Sequence, residues 1–433
     1  MELSEHLFRR ESGRLVAALT RIFGVHNLAL AEDVVQDAFC RALEVWKVRG
    51  IPDSPSAWLM TVAKRRALDI VRRERTARTF APELGRVLES EWTLAPTIEE
   101  AFAGSTIRDE QLRMMFSCCD PRLPEQVQVA LVLNILCGFG ASEIASAFLT
   151  SRAAMEKRIS RGKKSLALSQ RLFDLADAEF EPRLSAVLRA LYLLFNEGYH
   201  GASAEAAVRS DLCEEAIRLT LLLLESPQSA APETHALAAL MHLQAAKLPE
   251  RLDAEGDLNP LLEQDRSRWD MQRVQQGLAL LDRSAAGSVL SALHIEAAIA
   301  AVHATARSVE DTDWEAIVGL YDRLIAIAPS PVVALNRAIA IGQCVSPDAG
   351  LEALTAIDPN RLRGYPFYPA AIGEFEWRRG NLDSAREHFS AAVRLARNDA
   401  ERRFLEKRVR QVEAVRRDLE TTTSLAASQD RRN

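Results

Sequence analysis

No run of about 18 apolar residues occurs anywhere in the 433-residue chain, so no membrane-crossing helix is expected. The opening MELSEHLFRRESGRL also lacks the charged-then-apolar order of a signal peptide, and together these two absences predict a cytoplasmic protein with no membrane partner. The six cysteines (Cys40, Cys118, Cys119, Cys137, Cys213, Cys344) form no CxxC pair, which predicts reduced core residues and neither a metal site nor a disulfide framework. Among the eight histidines there is no HExxH, and no GxxxxGK[ST] loop is present. No enzyme activity and no cofactor are therefore expected. Period-2 alternation is missing as well, whereas apolar residues recur at i, i+3, i+4 and i+7 in nearly every segment, so the predicted fold is all-α.

What is present is an uneven distribution of charge. The net charge of −6 divides into a first part, residues 1–171, with 25 Lys+Arg against 21 Asp+Glu, and a remainder with 29 against 39. Only the first part carries a basic excess suited to a polyanion. Within it, two segments concentrate the bases. Trp58 to Arg78 (WLMTVAKRRALDIVRRERTAR) holds Lys64, Arg65, Arg66, Arg72, Arg73, Arg75 and Arg78 against Asp69 and Glu74. Its apolar residues Ala63, Ala67 and Ile70 stand at helical spacing, so one face is expected to pack while the other meets phosphate. Ser54 and Pro55 are suited to its N-cap and first position.

The second segment, Ser142 to Leu166, reads as a helix-turn-helix. Glu143 to Ala147 make a short helix and Phe148 to Thr150 a turn, after which Ser151 caps a basic helix. Met155 and Ile159 are expected to face the first helix of the motif. Arg152, Glu156 and Lys157 then point outward near the helix N-terminus, where base edges are read, while Arg158, Arg161, Lys163 and Lys164 hold phosphates. Leu149 stands where such turns commonly carry glycine, which predicts a turn of another shape.

A third helix, from Ala31 to Trp46, has an apolar stripe (Ala31, Val34, Val35, Ala38, Ala42, Val45, Trp46) ended by Gly50-Ile51-Pro52. Its opposite face presents Glu32, Asp33, Gln36 and Asp37 together, an acidic knob in a basic region. By itself such a face reads as solvated helix surface, the usual role of a charge run.

EDVVQDAF, then SPSAWLMTVAKRRALDIVRR, then a helix-turn-helix ending KRISRGKKSL, resembles bacterial RNA polymerase sigma factors of the extracytoplasmic-function type, in the same order over residues 1–170. The resemblance implies two small helical domains, a sigma2-like one at 1–79 and a sigma4-like one at 109–171, joined by a linker at 80–108. It implies RNA polymerase core (β′ clamp and β flap) and promoter DNA as partners, and gives Glu32, Asp33, Gln36 and Asp37 the clamp contact. The basic helix with Lys64, Arg65, Arg72 and Arg75 would melt and read the minus-10 element, and the helix-turn-helix would read the minus-35 element. Many relatives carry Asn where Arg65 stands. A helix-turn-helix regulator acting without the polymerase, or a helical-repeat scaffold, are the alternatives, but neither needs the acidic knob.

Residues 172–420 exceed a minimal factor of this type and are predicted to be a helical-repeat, tetratricopeptide-like extension, with a disordered tail at 421–433. WEAIVGLYDRLIAIAP from Trp314 and LDSAREHFSAAVRLA from Leu382 are two periods of about 34 residues apart, with Tyr321 and Phe389 each seven residues in. Gly373, Gly380, Ala385, Phe389 and Ala392 fit the small-large alternation of nested helix pairs. Such an array implies a protein-facing, regulatory role and an outside protein partner. Before it, Asn196, Glu197, Gly198 and Tyr199 end an apolar helix and resemble a signature found at the start of such extensions. Gly198 reads as its C-cap. Asn196 and Glu197 either tie down a neighbouring loop or dock the extension, and the sequence leaves both open.

Overall fold

The computed structural model describes residues 5–23, 27–78, 110–148, 150–168, 180–200 and 208–430. Among the described residues there are eighteen α-helices and no strand, and the chain divides into two compact units. The first comprises residues 1–197 and 211–234, the second residues 198–210 and 235–433.

In the first unit, α1 (Glu5–Phe23), α2 (Leu28–Arg49) and α3 (Pro55–Arg78) pack together because each carries one apolar stripe. Leu15, Leu19, Val34, Ala38, Phe39, Ala42 and Leu59 form their common core. Helix α2 stops at Gly50, whose φ of 80° permits the chain reversal; the Gly50 amide donates to the Trp46 carbonyl at 3.0 Å. Across that turn the Trp46 and Trp58 rings meet edge to face, 5.3 Å between centroids, fixing the angle between α2 and α3.

Helices α4 (Glu110–Cys118), α5 (Glu125–Ile135), α6 (Ala141–Ala147) and α7 (Arg152–Ala167) follow, with α4 packed on α1. The Ser151 hydroxyl caps α7 by accepting from the Ala154 amide, and Met155, Ile159 and Leu166 bury one face against α5 and α6. Each such side chain removed from water contributes about 1.5–3 kcal/mol. Gly162 sits where α7 crosses α5 most closely: a Cβ there would lie 2.8 Å from Val127 and 2.9 Å from Leu131. Helices α8 (Glu181–Tyr199) and α9 (Ser210–Glu225) extend this unit. Arg183, buried, donates to the Phe116 carbonyl at 3.0 Å, and Phe180 packs edge to face on Phe116.

In the second unit, α10 (Pro232–Ala245), α11 (Met271–Ser284) and α12 (Ala292–Thr305) precede three hairpins: α13 (Trp314–Ile327) with α14 (Pro331–Cys344), α15 (Pro347–Thr355) with α16 (Phe367–Arg378), and α17 (Leu382–Leu395) with α18 (Asp399–Asp430). The leading helices begin at Trp314, Pro347 and Leu382, so the middle hairpin keeps the spacing that its sequence blurs. Nesting depends on small residues under large ones. The Phe375 ring would lie 2.2 Å from a Cβ on Gly342 and 2.6 Å from one on Gly350, and Phe389 occupies the same relation to Gly373 at 3.2 Å.

Three readings of the sequence need correction. Helix α8 runs through Gly198 to Tyr199, so Gly198 is a buried helical residue and not a C-cap; its carbonyl accepts the Arg209 amide at 2.7 Å. Cys40 and Cys344 are exposed, and only the other four cysteines belong to the core. Helix α18 continues to Asp430, through most of the segment expected to be disordered.

Candidate functional site

The acidic face of α2 exists as expected, since the stripe Ala31, Val34, Val35 and Ala38 is buried and turns the intervening residues outward. Asp33, Gln36 and Asp37 are exposed and Glu32 is half-buried. Two of the carboxylates are engaged. The Asp37 carboxylate accepts from Arg66 Nε at 3.0 Å, tying α2 to the basic helix α3. The Glu32 carboxylate accepts from Lys163 Nζ at 2.6 Å, tying α2 to α7. Asp33 and Gln36 remain toward solvent between these two pairs.

Along α3, Leu59 and Ala63 are buried, Ile70 is half-buried, Lys64 is half-buried and Arg65 exposed. The side chains of Ala67, Arg72 and Arg75 lie outside the described residues. The face that carries Arg65 and Arg66 is therefore opposite the packed one, as phosphate contact requires.

The helix-turn-helix is α6 and α7. Gly138, at a φ of 68°, leads into α6, whose first turn is closed by Glu143 accepting from the Gly140 amide at 2.7 Å. The Thr150 amide donates to the Ala145 carbonyl at 2.9 Å, closing the turn; Leu149 lies outside the described residues. Ile144, Met155 and Ile159 are buried between the two helices. Arg152, Glu156, Lys157 and Arg161 are exposed on the outer face of α7, and Arg158 is half-buried. Arg152 Nε donates to Glu156 at 2.8 Å, so the two outward residues nearest the helix N-terminus pre-orient each other. Lys163, read from sequence as a phosphate contact, is instead turned to Glu32.

The sequence reading missed Arg66 as a partner of the acidic face, and no local signal marks it: Asp37 and Arg66 are 29 residues apart, Glu32 and Lys163 are 131 apart. Beside the second pair Cys118 is fully buried. Burial pushes the Cys118 thiol up to about 12, with Lys163 lowering and Glu32 raising it in smaller measure.

The junction motif is split by the division of the chain. Asn196 and Glu197, half-buried, end the first stretch of the first unit, while Gly198 and Tyr199, buried, begin the second unit. There the Tyr199 ring lies under the Arg251 guanidinium, 5.1 Å from its centroid.

Comparison with known proteins bears on each of these parts. Residues 7–77 match sigma-70 region 2 and residues 113–166 match sigma-70 region 4. Residues 183–285 match a family of unknown function, DUF6596. An uncharacterized protein of Rhizobium meliloti (strain 1021) is 40% identical over 395 residues, which is 90% of this chain and 91% of that protein. The ECF RNA polymerase sigma factor SigK of Mycobacterium sp. (strain KMS) is 26% identical over 164 residues, 37% of this chain and 79% of its own length. SigK of Mycobacterium ulcerans (strain Agy99) is 27% identical over 151 residues, 32% of this chain and 74% of its own.

Proposed function

Because the chain belongs to the extracytoplasmic-function sigma factors of the sigma-70 family and carries a helical C-terminal extension, we propose that it docks on the β′ clamp of core polymerase through Asp33, Gln36, Asp37 and Glu32, and reads a two-element promoter in the cytoplasm. The observation that carries this reading is the acidic face of α2 standing beside the basic face of α3, with a separate helix-turn-helix behind it. Opening a duplex costs a few kcal/mol per unstacked step. A basic helix held by its apolar face, with Arg65 exposed and Lys64 half-buried beside it, offsets that cost where the minus-10 strand separates, and Arg72 and Arg75 are assigned to the same strand. Arg152, Glu156 and Lys157 take the base edges of the minus-35 duplex, Arg158 and Arg161 its phosphates, and the β flap seats the helix-turn-helix domain.

The Glu32–Lys163 and Asp37–Arg66 pairs give the free protein a self-satisfied arrangement. Core and promoter then compete with internal partners: the clamp takes the carboxylates, and DNA takes Lys163 and Arg66. The extension, with its acidic excess, modulates this exchange through protein contacts, and Asn196 and Glu197 transmit it at the junction.

The test is core binding by the full chain. Asp33→Lys together with Asp37→Lys should abolish the native-gel shift of core polymerase with far-ultraviolet circular dichroism unchanged. Full retained affinity would remove the clamp assignment.

A further inference from the structure

The second unit contains a cavity of about 240 Å³ whose lining includes none of the residues assigned to polymerase or promoter. Its walls are Phe367 and Phe375 of α16, Phe389 of α17 and Phe404 of α18, and its roof is the loop that carries Leu258, Pro260 and Leu262. A dry cavity of about 150 Å³ takes one benzene ring. This one has room for a substituted ring.

The roof is fastened in a way that permits opening. Asp253 pairs with Lys407 at 3.2 Å, Asp257 with Arg403 at 2.5 Å, and Glu263 with Arg408, three rungs along one side of α18. Lys407 and Arg403 are about half exposed, 48% and 50%, so their pairs hold weakly and can part and re-form.

The polar groups of the lining are few and unequal. Arg408 is committed to Glu263, with Glu374 4.0 Å away and the Trp377 and Phe404 rings against its guanidinium. Glu374 is driven toward its neutral form by burial, although Arg408 opposes this. Arg251 is different. It has no carboxylate partner among the described residues, and its Nε is buried without a hydrogen bond. Its other contacts are the Tyr199 ring beneath it and His200 Nδ1, 3.1 Å from Nη2. Its charge and that of Arg266 add to the larger effect of burial in bringing the nearby Lys247 ammonium down to about 7. A half-buried guanidinium with a buried, unpaired Nε and no carboxylate beside it, lining an aromatic cavity, offers an anionic head a charge-assisted hydrogen bond.

We propose that this cavity is a binding site for a small aromatic carboxylate, with the ring among Phe367, Phe389 and Phe404 and the carboxylate on Arg251. Tyr199 then acts as a positioning residue: its ring holds the guanidinium, and it closes the helix that carries the chain from the first unit into the second. This gives the junction motif a role independent of how the first unit engages polymerase, and binding is measured without transcription.

The experiment is titration of the full chain by calorimetry and ligand-observed NMR with phenylacetate, phenethylamine and ethylbenzene. Phenylacetate should saturate one site, at least about tenfold tighter than the amine or the neutral hydrocarbon. Arg251→Gln should weaken phenylacetate about tenfold and leave ethylbenzene unchanged. Ala370→Trp, which fills the cavity, should abolish both. Should Arg251→Gln fail to fold, Glu374→Gln decides: it should leave phenylacetate binding equal or tighter, because Glu374 is not its anchor. No saturable binding, equal or tighter binding of phenethylamine, or unchanged binding in Ala370→Trp would each overturn the assignment.

Discussion

Lys163→Ala should tighten binding of the free protein to core polymerase, although it removes a base from the DNA-binding helix. The ammonium lies 2.6 Å from the Glu32 carboxylate, and the two side chains are 27% and 29% exposed. At an effective dielectric of about 20 the gross attraction is about 6 kcal/mol. Desolvation of two half-buried ions and immobilisation of two long side chains remove most of it, which leaves a net of about 1 kcal/mol. If core can dock only where Glu32 is released, losing the pair raises the competent fraction by the same amount, about fivefold in apparent affinity. Fluorescence anisotropy of labelled protein against core, with no DNA present, measures this. The swap Glu32→Lys with Lys163→Glu separates the pair from the individual charges: it restores the clasp while removing the clamp-facing carboxylate, so its affinity should fall below that of the native chain. Unchanged or weaker core binding by Lys163→Ala would refute the idea that the pair competes with polymerase.

The remaining expectations concern stability and reactivity. Lys247 titrates near 7 in the folded chain and near ~10.4 unfolded, so the folded state binds fewer protons in between; stability should rise with pH from about 7 to about 10 by up to ~1.4 kcal/mol per unit, and Lys247→Met should flatten that slope in denaturant titrations. Gly342→Val would drive a side chain into the Phe375 ring, and should cost the second unit about 2–4 kcal/mol, seen as a lowered melting transition with the other transition unmoved. Cys118, with its thiol pushed up to about 12, should stay unmodified by a maleimide at neutral pH, while mass spectrometry finds label on the exposed Cys40 and Cys344; labelled Cys118 in the folded chain would contradict its burial.

The packing at α8 also changes how the extension should be removed. A cut near Leu172, natural from the sequence, strips Phe180 and Arg183 from Phe116 and exposes a core residue. A cut after Thr234, where the first unit ends, leaves those contacts whole and separates loss of the extension from loss of the fold.

The sequence by itself determined the helices and their faces. Periodicity fixed α2, α3 and α7, Ser151 fixed the start of α7, and Gly50 the end of α2, because caps and stripes act within a few residues of chain. It also placed the acidic knob and the basic outer faces, since burying one stripe leaves no choice about where the charges go. The partners of those charges were a different matter. Glu32 with Lys163, Asp37 with Arg66, and the exposed Cys40 and Cys344 follow from how helices distant in the chain come together, and no local pattern encodes that. The same holds for Gly198, which reads as a cap and is a helical contact, and for Arg251. Nothing in its sequence neighbourhood marks it, and only the assembled hairpins place it over Tyr199 and beside an aromatic cavity, with its Nε buried and unpaired.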